Sequence, residues 1–289
     1  MKDLKSKVAV ITGAADGIGF CLAKRLANEG MKIVLSDINA ENLKIAEKKI
    51  QGLGAETLSV QVDVSKEAEI QSLSQATLAK FGEVHLLCNN AGVFAKPGLV
   101  WKCSREDWQR NIDINLWGVL NGLRNFVPIM LEQDTEAHIM TVASMGGHTV
   151  DPFVSPYIVA KFGVVAMIES LYHELKLIGS NIGVSLVCPG FVRTQILNSD
   201  AFDKDTNKFS GLLSMFREGV KEGMKPEDVA DKAVAAMEKN QFYVFPHDYS
   251  ETTLRARFDP LLAFRNPELP EKVLEDYGLK KMIDGIIKD

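Results

Sequence analysis

Short apolar runs alternate with longer segments of helical periodicity along most of the chain. The apolar runs are nearly continuous and lack the strict alternation of apolar and polar residues that a half-exposed strand shows. Such strands are buried on both faces, as in a parallel sheet that helices cover on either side. The predicted strands are residues 8–12, 32–36, 57–63, 84–90, 138–144, 184–190 and 242–245.

Helical spacing of apolar residues fills most of the stretches between these runs. Strands that alternate with helices indicate βαβ units with right-handed crossovers. The pattern therefore predicts an α/β fold of the Rossmann type, a doubly wound parallel sheet of about seven strands with helices on both faces. The predicted helices cover residues 17–29, 40–50, 66–81, 105–131, 156–178 and 226–239.

The rhythm of strands and helices lapses in two places. Residues 195–224 form a long irregular insert, and residues 246–289 extend past the last predicted strand. No linker rich in Gly, Ser or Pro divides the chain, and its 289 residues suffice for one large domain. We therefore predict one domain over residues 1–289, with an insert and a C-terminal extension.

Composition and charge exclude several classes of protein. A net charge of −5 without a basic block argues against nucleic acid as a partner. No apolar stretch reaches the roughly 18 residues of a membrane-spanning helix, and the first residues lack the apolar core of a signal peptide. The 4 cysteines are widely spaced, which predicts reduced thiols in a cytoplasmic protein. The 5 histidines show no ligand spacing, so no metal site is predicted.

A glycine-rich turn follows directly after the first predicted strand. Gly13 suits a tight turn, Gly17 lets the backbone approach a phosphate, and Gly19 permits close helix packing. Asp16 and Ile18 belong to the same turn. The helix that begins here offers free N–H groups and a positive dipole end to a pyrophosphate. This context favours a dinucleotide site over a purely structural turn.

The end of the second predicted strand bears on the choice of dinucleotide. Asp37 lies where a carboxylate accepts hydrogen bonds from the hydroxyls of an adenosine ribose. A 2′-phosphate would meet like charge there, which costs about 1–4 kcal/mol at short range. The next residue is Ile38 and not an arginine, and Asp16 adds a second acidic group. The sequence therefore favours NAD over NADP, with an ordinary turn residue as the alternative reading of Asp37.

Tyr157 and Lys161 are four residues apart at the start of a predicted helix, for which Ser155 suits the N-cap and Pro156 the first position. This spacing places the phenol and the ammonium on one helix face, where the ammonium is expected to lower the phenol pKa. Such a tyrosine exchanges a proton with an alcohol oxygen near neutral pH. Ser144, which ends the fifth predicted strand, is placed to hydrogen-bond that oxygen. Taken alone, the Tyr–Lys pair would be an ordinary feature of an amphipathic helix.

These motifs occur together, and as a set they resemble the short-chain dehydrogenase/reductase family, in its single-domain, NAD-preferring branch. They span residues 7 to about 194 in the family's order and at its spacing. The matching segments are TGAADGIG (12–19), Asp37, DV (63–64), NNAG (89–92), Asn115, Ser144, YIVAK (157–161) and PGFVRT (189–194).

The resemblance implies a role for each matching residue. Tyr157 would be the general acid/base, and Lys161 would lower its pKa and bind the nicotinamide ribose. Ser144 would orient the substrate oxygen, and Asn115 would hold a water in a proton relay. Beside the glycine turn and Asp37, the implied cofactor contacts are Asp63 and Val64 at the adenine, Asn90, Ala91 and Gly92 in the cleft, and Pro189, Gly190, Val192 and Thr194 at the carboxamide.

The reaction that the resemblance implies is hydride transfer between NAD(H) and a secondary alcohol or ketone, without a catalytic metal. An NADP-dependent carbonyl reductase on the same fold is one alternative. A non-catalytic dinucleotide sensor is another, although it would be expected to lose Tyr157 or Lys161. A scaffold role has no support in the sequence. The family also implies that the helices at 105–131 and 156–178 pair into a homodimer or homotetramer, where burial within one chain is the alternative.

The substrate region has a weaker signature. The insert at 195–224 is rich in apolar residues and is expected to pack on the sheet, to form a lid over an apolar substrate, or both. A medium or large apolar alcohol or ketone is the predicted substrate. For His148 a loop position without a role is the alternative. The residues expected to line the pocket are Ser144, Met145, Gly146, His148, Phe153, Tyr157, Phe94 and Phe191.

The C-terminal extension, residues 246–289, carries no motif. It contains four prolines, and the apolar residues after Pro270 recur at near-helical spacing. We expect it to pack on its own subunit or on a neighbour, near the substrate entrance.

Overall fold

The computed structural model describes residue 1, residues 3–197 and residues 209–267. The strands are β1 Val8–Thr12, β2 Lys32–Asp37, β3 Thr57–Gln61, β4 Leu86–Asn89, β5 Ala137–Val142, β6 Ile182–Val187 and β7 Tyr243–Val244. They form one sheet in the order β3-β2-β1-β4-β5-β6-β7, and every pairing is parallel. The predicted Rossmann-type sheet is confirmed.

Helices connect successive strands and cover both faces of the sheet. They are α1 Gly17–Asn28, α2 Ala40–Gln51, α3 Glu67–Phe81, α4 Arg105–Asn111, α5 Gly118–Gln133, α6 Ser155–Leu177, α7 Ser210–Glu222, α8 Pro226–Glu238 and α9 Ser250–Leu262. A π-helical segment, Ile112–Trp117, joins α4 to α5, and a 3-10 turn, Met145–Gly147, follows β5.

Two hydrophobic cores lie on opposite sides of the sheet, because the side chains of each strand alternate between its faces. In β1, Ala9 and Ile11 enter one core together with α1, α2 and α8. Val8 and Val10 enter the other, which α3, α5 and α6 cover. Both faces of such a strand are buried, and this explains why apolar residues predominate at successive positions in the sequence.

The strand order reverses between β1 and β4, which places a crevice at their carboxyl ends. Ligands of open α/β sheets bind at such a switch point. The glycine turn that follows β1 and the NNAG segment that begins in β4 meet there, as the register of Ile11 with Cys88 requires.

The two irregular regions contain helices that the sequence did not predict. Helix α7 lies within the insert, of which residues 198–208 fall outside the described residues. Helix α9 follows β7, and Ser250 is its one buried residue. Leu261 and Leu262 are exposed, so α9 buries little apolar surface against the domain. The helix predicted after Pro270 also lies outside the described residues.

Within the described residues, no helix is long and apolar enough to cross a membrane. The same part of the chain contains no group of three or more His, Cys, Asp or Glu side chains suited to a metal ion.

Candidate active site

The glycine turn after β1 is shaped by the segment that follows β4. Gly13 and Gly17 have φ values of 63° and 56°, a region that favours glycine. A Cβ atom on Gly19 would collide with the carbonyl oxygen of Gly13. Asn90 Nδ2 donates to the carbonyl oxygens of Thr12 and Gly13 at 2.9 and 3.0 Å. The predicted cleft residue Asn90 therefore uses its amide to hold the turn in shape.

Thr194 closes the glycine turn from the other side. A Cβ atom on Gly17 would lie 3.1 Å from Thr194 Cγ2, so a larger residue would fill this gap. Asp16 is the N-cap residue of α1, but its side chain caps no N–H group. The first N–H groups of α1 therefore point toward the space between the turn and Thr194 without a capping side chain. This arrangement suits an anionic group.

Two acidic residues meet at the carboxyl end of β2. The Asp37 carboxylate accepts hydrogen bonds from Ala15 N at 3.2 Å and from Asn39 N at 2.9 Å. Partial desolvation and the nearby Asp37 carboxylate raise the pKa of Asp16. The residue after Asp37 is Ile38, whose apolar side chain is 62% exposed and offers no positive charge. A further negative charge would be disfavoured here.

The residues that follow β3 and β4 are held by local hydrogen bonds. The Asp63 carboxylate accepts from Ser65 N at 3.1 Å and from Ser65 Oγ at 2.6 Å. The carbonyl oxygen of the buried Val64 accepts from Asn121 Nδ2 at 2.9 Å. A Cβ atom on Gly92 would lie 2.8 Å from Asn115 Oδ1. These contacts fix the backbone along the crevice; the adenine contacts of Asp63 and Val64 stay a prediction.

Tyr157, Lys161 and Ser144 come together at the carboxyl end of β5. Tyr157 and Lys161 are 8% and 4% exposed. Lys161 Nζ lies 5.7 Å from the centroid of the Tyr157 ring and donates to Val142 O at 3.2 Å. The Ser144 hydroxyl is within hydrogen-bonding reach of the phenol and accepts from Gly146 N at 3.0 Å. A phenol and a hydroxyl are thus placed together, with a buried ammonium beside the phenol ring.

The proton affinities at this site differ from the sequence-based expectation. Burial raises the pKa of Tyr157 to about 12, and the Ser144 hydroxyl offsets part of this rise. Burial lowers the pKa of Lys161 to about 8. The expected lowering of the Tyr157 pKa is wrong for the protein without ligand, because burial makes the phenolate costly and the Ser144 hydroxyl offsets only part of that cost.

The start of α6 also differs in detail from the prediction. The helix begins at Ser155, and Val154 occupies the N-cap position without a side-chain hydrogen bond. The carbonyl oxygen of Val154 accepts from Tyr157 N and Ile158 N at 3.0 and 3.2 Å. The predicted N-cap role of Ser155 is therefore wrong. Pro156 does lie in the first turn, where its missing N–H costs no helical hydrogen bond.

Asn115 lies in the π-helical segment and is completely buried. Its Oδ1 accepts from Val93 N at 3.0 Å, and its Nδ2 donates to Val93 O at 2.9 Å and to Asn111 Oδ1 at 3.2 Å. The side chain thereby pins the segment after β4 to the helix. The proton relay implied for Asn115 stays a prediction. The π-helical turn itself, a feature common at functional sites, carried no signal in the sequence.

An apolar cluster covers the phenol. The ring of Phe94 lies 4.8 Å from the ring of Tyr157 and 5.1 Å from that of Phe216 on α7. Phe153, which has an unusual φ of 70°, contacts Phe209 at a centroid distance of 5.6 Å. Helix α7 thus packs on the domain and covers Tyr157. Its role as a lid over a substrate stays a prediction. Other buried members are Ala95, Val154, Ile158, Leu197, Leu212 and Leu213.

His148 does not belong to this cluster. Its ring is buried, with Nε2 3.3 Å from Cys188 Sγ and its centroid 5.3 Å from that of Phe245. These contacts give no support to the substrate contact of His148, which stays a prediction. Met145 is also buried, and a Cβ atom on Gly146 would lie 3.2 Å from Tyr157 Cε1.

The loop after β6 is anchored at both ends. Pro189 O accepts from Met145 N at 2.8 Å, which ties the loop to the Ser144 segment. Phe191 O accepts from Met224 N at 3.0 Å, and Val192 forms a parallel bridge with Met224. The ring of Phe191 lies 6.1 Å from that of Phe216. The loop therefore joins the glycine turn, through Thr194, to the apolar cluster.

Two residues that the sequence did not assign also contact this loop. His247 and Tyr249 follow β7 and lie against Gly190 and Phe191. Their proximity depends on the pairing of β6 with β7, which no local sequence pattern reveals.

Comparisons with known proteins agree with this geometry. The family model for short chain dehydrogenase matches residues 7–205. The CLA biosynthesis dehydrogenase/reductase of Lactiplantibacillus plantarum is 36% identical over 258 residues, 86% of this chain and 90% of the relative. The 1-deoxy-11-beta-hydroxypentalenate dehydrogenase of Streptomyces avermitilis is 30% identical over 257 residues, 89% of this chain and 90% of the relative.

A solved structure is similar over nearly the whole chain. It is a short chain dehydrogenase/reductase from Burkholderia phymatum in complex with NAD, with a TM-score of 0.89 and 37% identity, covering 93% of this chain and 99% of that chain. The chain belongs to the short-chain dehydrogenase/reductase family of oxidoreductases.

Proposed function

We propose that this oxidoreductase transfers a hydride between NAD(H) and a secondary alcohol or ketone of medium to large, apolar character. The observation that carries the proposal is the convergence of Tyr157, Ser144 and Lys161 under an apolar cover, beside the glycine turn. Neither an isolated glycine turn nor an isolated Tyr–Lys pair would support a redox reaction.

The residues at the crevice fit a nicotinamide dinucleotide. A side chain on Gly17 would fill the gap beside Thr194, Gly19 lets the helix pack closely on the turn, and no side chain caps the first N–H groups of α1. Asp16 and Asp37 favour a free ribose hydroxyl over a 2′-phosphate, which supports NAD, the ligand of the Burkholderia phymatum relative. When bound, the nicotinamide ring accepts or supplies the hydride. An NADP-dependent carbonyl reductase is the second candidate.

The chain's own part in the reaction is to position the substrate oxygen and to move one proton. In the reductive direction, the neutral phenol of Tyr157 donates its proton to the carbonyl oxygen, which the Ser144 hydroxyl orients. Burial keeps the phenol protonated and therefore ready to donate at neutral pH. In the oxidative direction, the phenolate accepts the alcohol proton, and the Lys161 ammonium stabilises the phenolate. Oxidation is therefore expected to accelerate with rising pH more than reduction does.

The character of the substrate is proposed from the cover over the phenol. Phe94 and Phe216 present apolar rings beside Tyr157 and exclude water from the reacting oxygen. The apolar part of a large substrate would contact these rings in place of the contacts that the rings now make with each other. Small polar alcohols would leave the cover unfilled and are expected to be poor substrates.

We also propose that the protein works in the cytoplasm as a homodimer or homotetramer. Cys21, Cys88 and Cys188 are buried free thiols, which is usual in a reducing compartment. Trp117 beside α5 and Val159 on α6 are exposed apolar residues on the helices expected to pair. Light scattering in solution measures the assembly state directly.

The decisive experiment replaces one hydroxyl. Tyr157→Phe is expected to lower turnover about 1,000-fold, since it removes the proton donor, while NADH binding, followed by fluorescence, is retained. Tyr172→Phe makes the same change farther along α6, where the ring packs on Phe242, and is expected to leave turnover unchanged. Normal turnover by Tyr157→Phe would contradict the proposal. NADH binding by the wild type without turnover on any of a broad panel of alcohols and ketones would favour a dinucleotide sensor.

A further inference from the structure

A single imidazole from the C-terminal extension binds the backbone on both sides of the Gly190–Phe191 peptide in the loop after β6. Gly190 N donates to His247 Nδ1 at 3.2 Å, and His247 Nε2 lies 3.0 Å from Phe191 O. An N–H group can only donate and a carbonyl oxygen can only accept. The imidazole must therefore be neutral with its proton on Nε2, because only this tautomer satisfies both contacts.

The surroundings of the imidazole favour this neutral form. Burial lowers the pKa of His247 and Lys232 on α8 acts in the same direction, whereas the hydrogen bond to the Phe191 carbonyl and the Asp248 carboxylate offset part of this shift. Lys232 itself donates to the carbonyl oxygen of Pro246, one residue before the histidine. The segment after β7 is thus fixed to α8 before it reaches the loop.

Tyr249 completes the contact with the loop. Its phenolic oxygen is within hydrogen-bonding reach of the backbone N–H of Phe191. A Cβ atom on Gly190 would collide with that same oxygen. The ring of Tyr249 packs on the imidazole of His247 at a centroid distance of 4.9 Å. The two side chains therefore leave the loop little freedom, and they require glycine at position 190.

The position of this loop matters to both halves of the site. Toward the crevice, the loop continues to Thr194, beside Gly17. Toward the substrate, the ring of Phe191 contacts Phe216, and Phe216 contacts Phe94 over the phenol. A shift of the Gly190–Phe191 peptide would therefore displace the loop and the apolar cover together.

We propose that His247 and Tyr249 are positioning residues, which hold the Gly190–Phe191 peptide where the dinucleotide and the apolar cover must meet. The proposal rests on the proposed function for its catalytic consequence, but the restraint on the loop can be measured without any reaction. It also assigns a purpose to the beginning of the C-terminal extension.

The first experiment compares three histidine variants. His247→Phe removes both hydrogen bonds, and His247→Gln retains an N–H donor toward Phe191 O. The matched control is His138→Phe, since His138 is equally buried but binds Ser185 Oγ at 2.8 Å elsewhere on the sheet. Hydrogen exchange of the 189–194 peptide in the protein without ligand is expected to accelerate about tenfold in His247→Phe and not in His138→Phe.

Measurements of kcat then test whether a more mobile loop impairs the reaction. For His247→Phe we expect kcat to fall about 10- to 100-fold, because small misplacements at a reacting centre have effects of this size. His247→Gln should recover part of the loss, and His138→Phe should lower thermal stability without lowering kcat. Unchanged exchange in His247→Phe overturns the proposal, and so does faster exchange with unchanged kcat and unchanged NADH affinity. Absence of turnover in the wild type would instead contradict the proposed function, and NADH affinity would then replace kcat as the test.

A second-site test addresses Tyr249. Gly190→Ala is expected to weaken NADH binding about tenfold or more, since the new methyl group collides with the Tyr249 hydroxyl. Combining it with Tyr249→Phe removes the colliding oxygen and should restore part of that affinity. No recovery in the double variant would contradict the role given to Tyr249.

Discussion

The two ends of the candidate site are built in different ways. At the dinucleotide end, the glycine turn, Asp37 and the first turn of α1 lie within residues 12–37, and much of the surface offered to a ligand is backbone. At the substrate end, Phe94, Phe153 and Phe216 come from three separate segments, and their side chains form the surface.

The cofactor and the substrate are therefore expected to be recognised in different ways. Backbone N–H groups and a helix N-terminus recognise a phosphate whatever the neighbouring side chains are, so a short motif suffices. An apolar pocket acquires its shape only when distant side chains pack together. Tyr157 and Lys161 lie between the two ends. Both are buried, and Tyr157 packs in the apolar cluster of the substrate end.

Among the substitutions that compare the two ends, the largest effect is expected from replacing the lysine that lies between them. Lys161→Met should lower kcat about 100-fold or more, because it removes the cation that stabilises the phenolate. It should also stabilise the ligand-free protein at pH 7. The depression of the Lys161 pKa from 10.5 to about 8 corresponds to a cost of about 3 kcal/mol for burying the charge.

The pH dependence of the unfolding free energy tests the sign of this stability effect. Because the folded-state pKa of Lys161 lies below its unfolded value, the cost is fully present below pH 8 and disappears as the pH rises toward 10.5. The gap in unfolding free energy between Lys161→Met and the wild type should therefore narrow across that range. Lys176→Met, an exposed change on the same helix, should show no such pH dependence. A difference in unfolding free energy that does not change with pH would contradict the burial of a charged Lys161.

An intermediate effect is expected at the dinucleotide end. Asp37→Ala should lower the ratio of kcat/KM with NAD to kcat/KM with NADP by about tenfold or more, because it removes the repulsion of a 2′-phosphate. Substrate KM should not change, since Asp37 lies outside the apolar cover. Asp259→Ala on α9 serves as the control for loss of one negative charge. A ratio that does not change would exclude Asp37 from coenzyme selection.

The smallest effect is expected at the substrate end. Phe216→Leu keeps an apolar side chain but removes the ring contacts with Phe94 and Phe191, which are worth about 0.5–1.5 kcal/mol each. KM for large apolar substrates should rise about threefold to tenfold, while NADH affinity stays unchanged. Phe264→Leu makes the same change at a residue that is 98% exposed and should have no effect. Weakened NADH binding in Phe216→Leu would show that the two ends are not separable.

Particular residues show how far sequence reasoning reaches. Gly13, Gly17 and Gly19 could be assigned because the strand, turn and helix that use them are contiguous. His148 could not, because a loop histidine can turn toward a pocket or into a core, and its contacts with Cys188 and Phe245 join segments far apart in the chain. His247 remained unassigned for the same reason.

The order and type of most elements, the parallel sheet and the glycine turn could be predicted from the amino-acid sequence, because these follow from hydrophobic periodicity and local backbone geometry. The proton affinities of Tyr157 and Lys161 depend on the complete fold, since desolvation depends on every segment that covers them. The complete fold also decided the place of α7 over the phenol and the contact of His247 with the loop after β6. Interactions that act through burial and long-range packing have no local signature, so no stretch of the chain contains them alone.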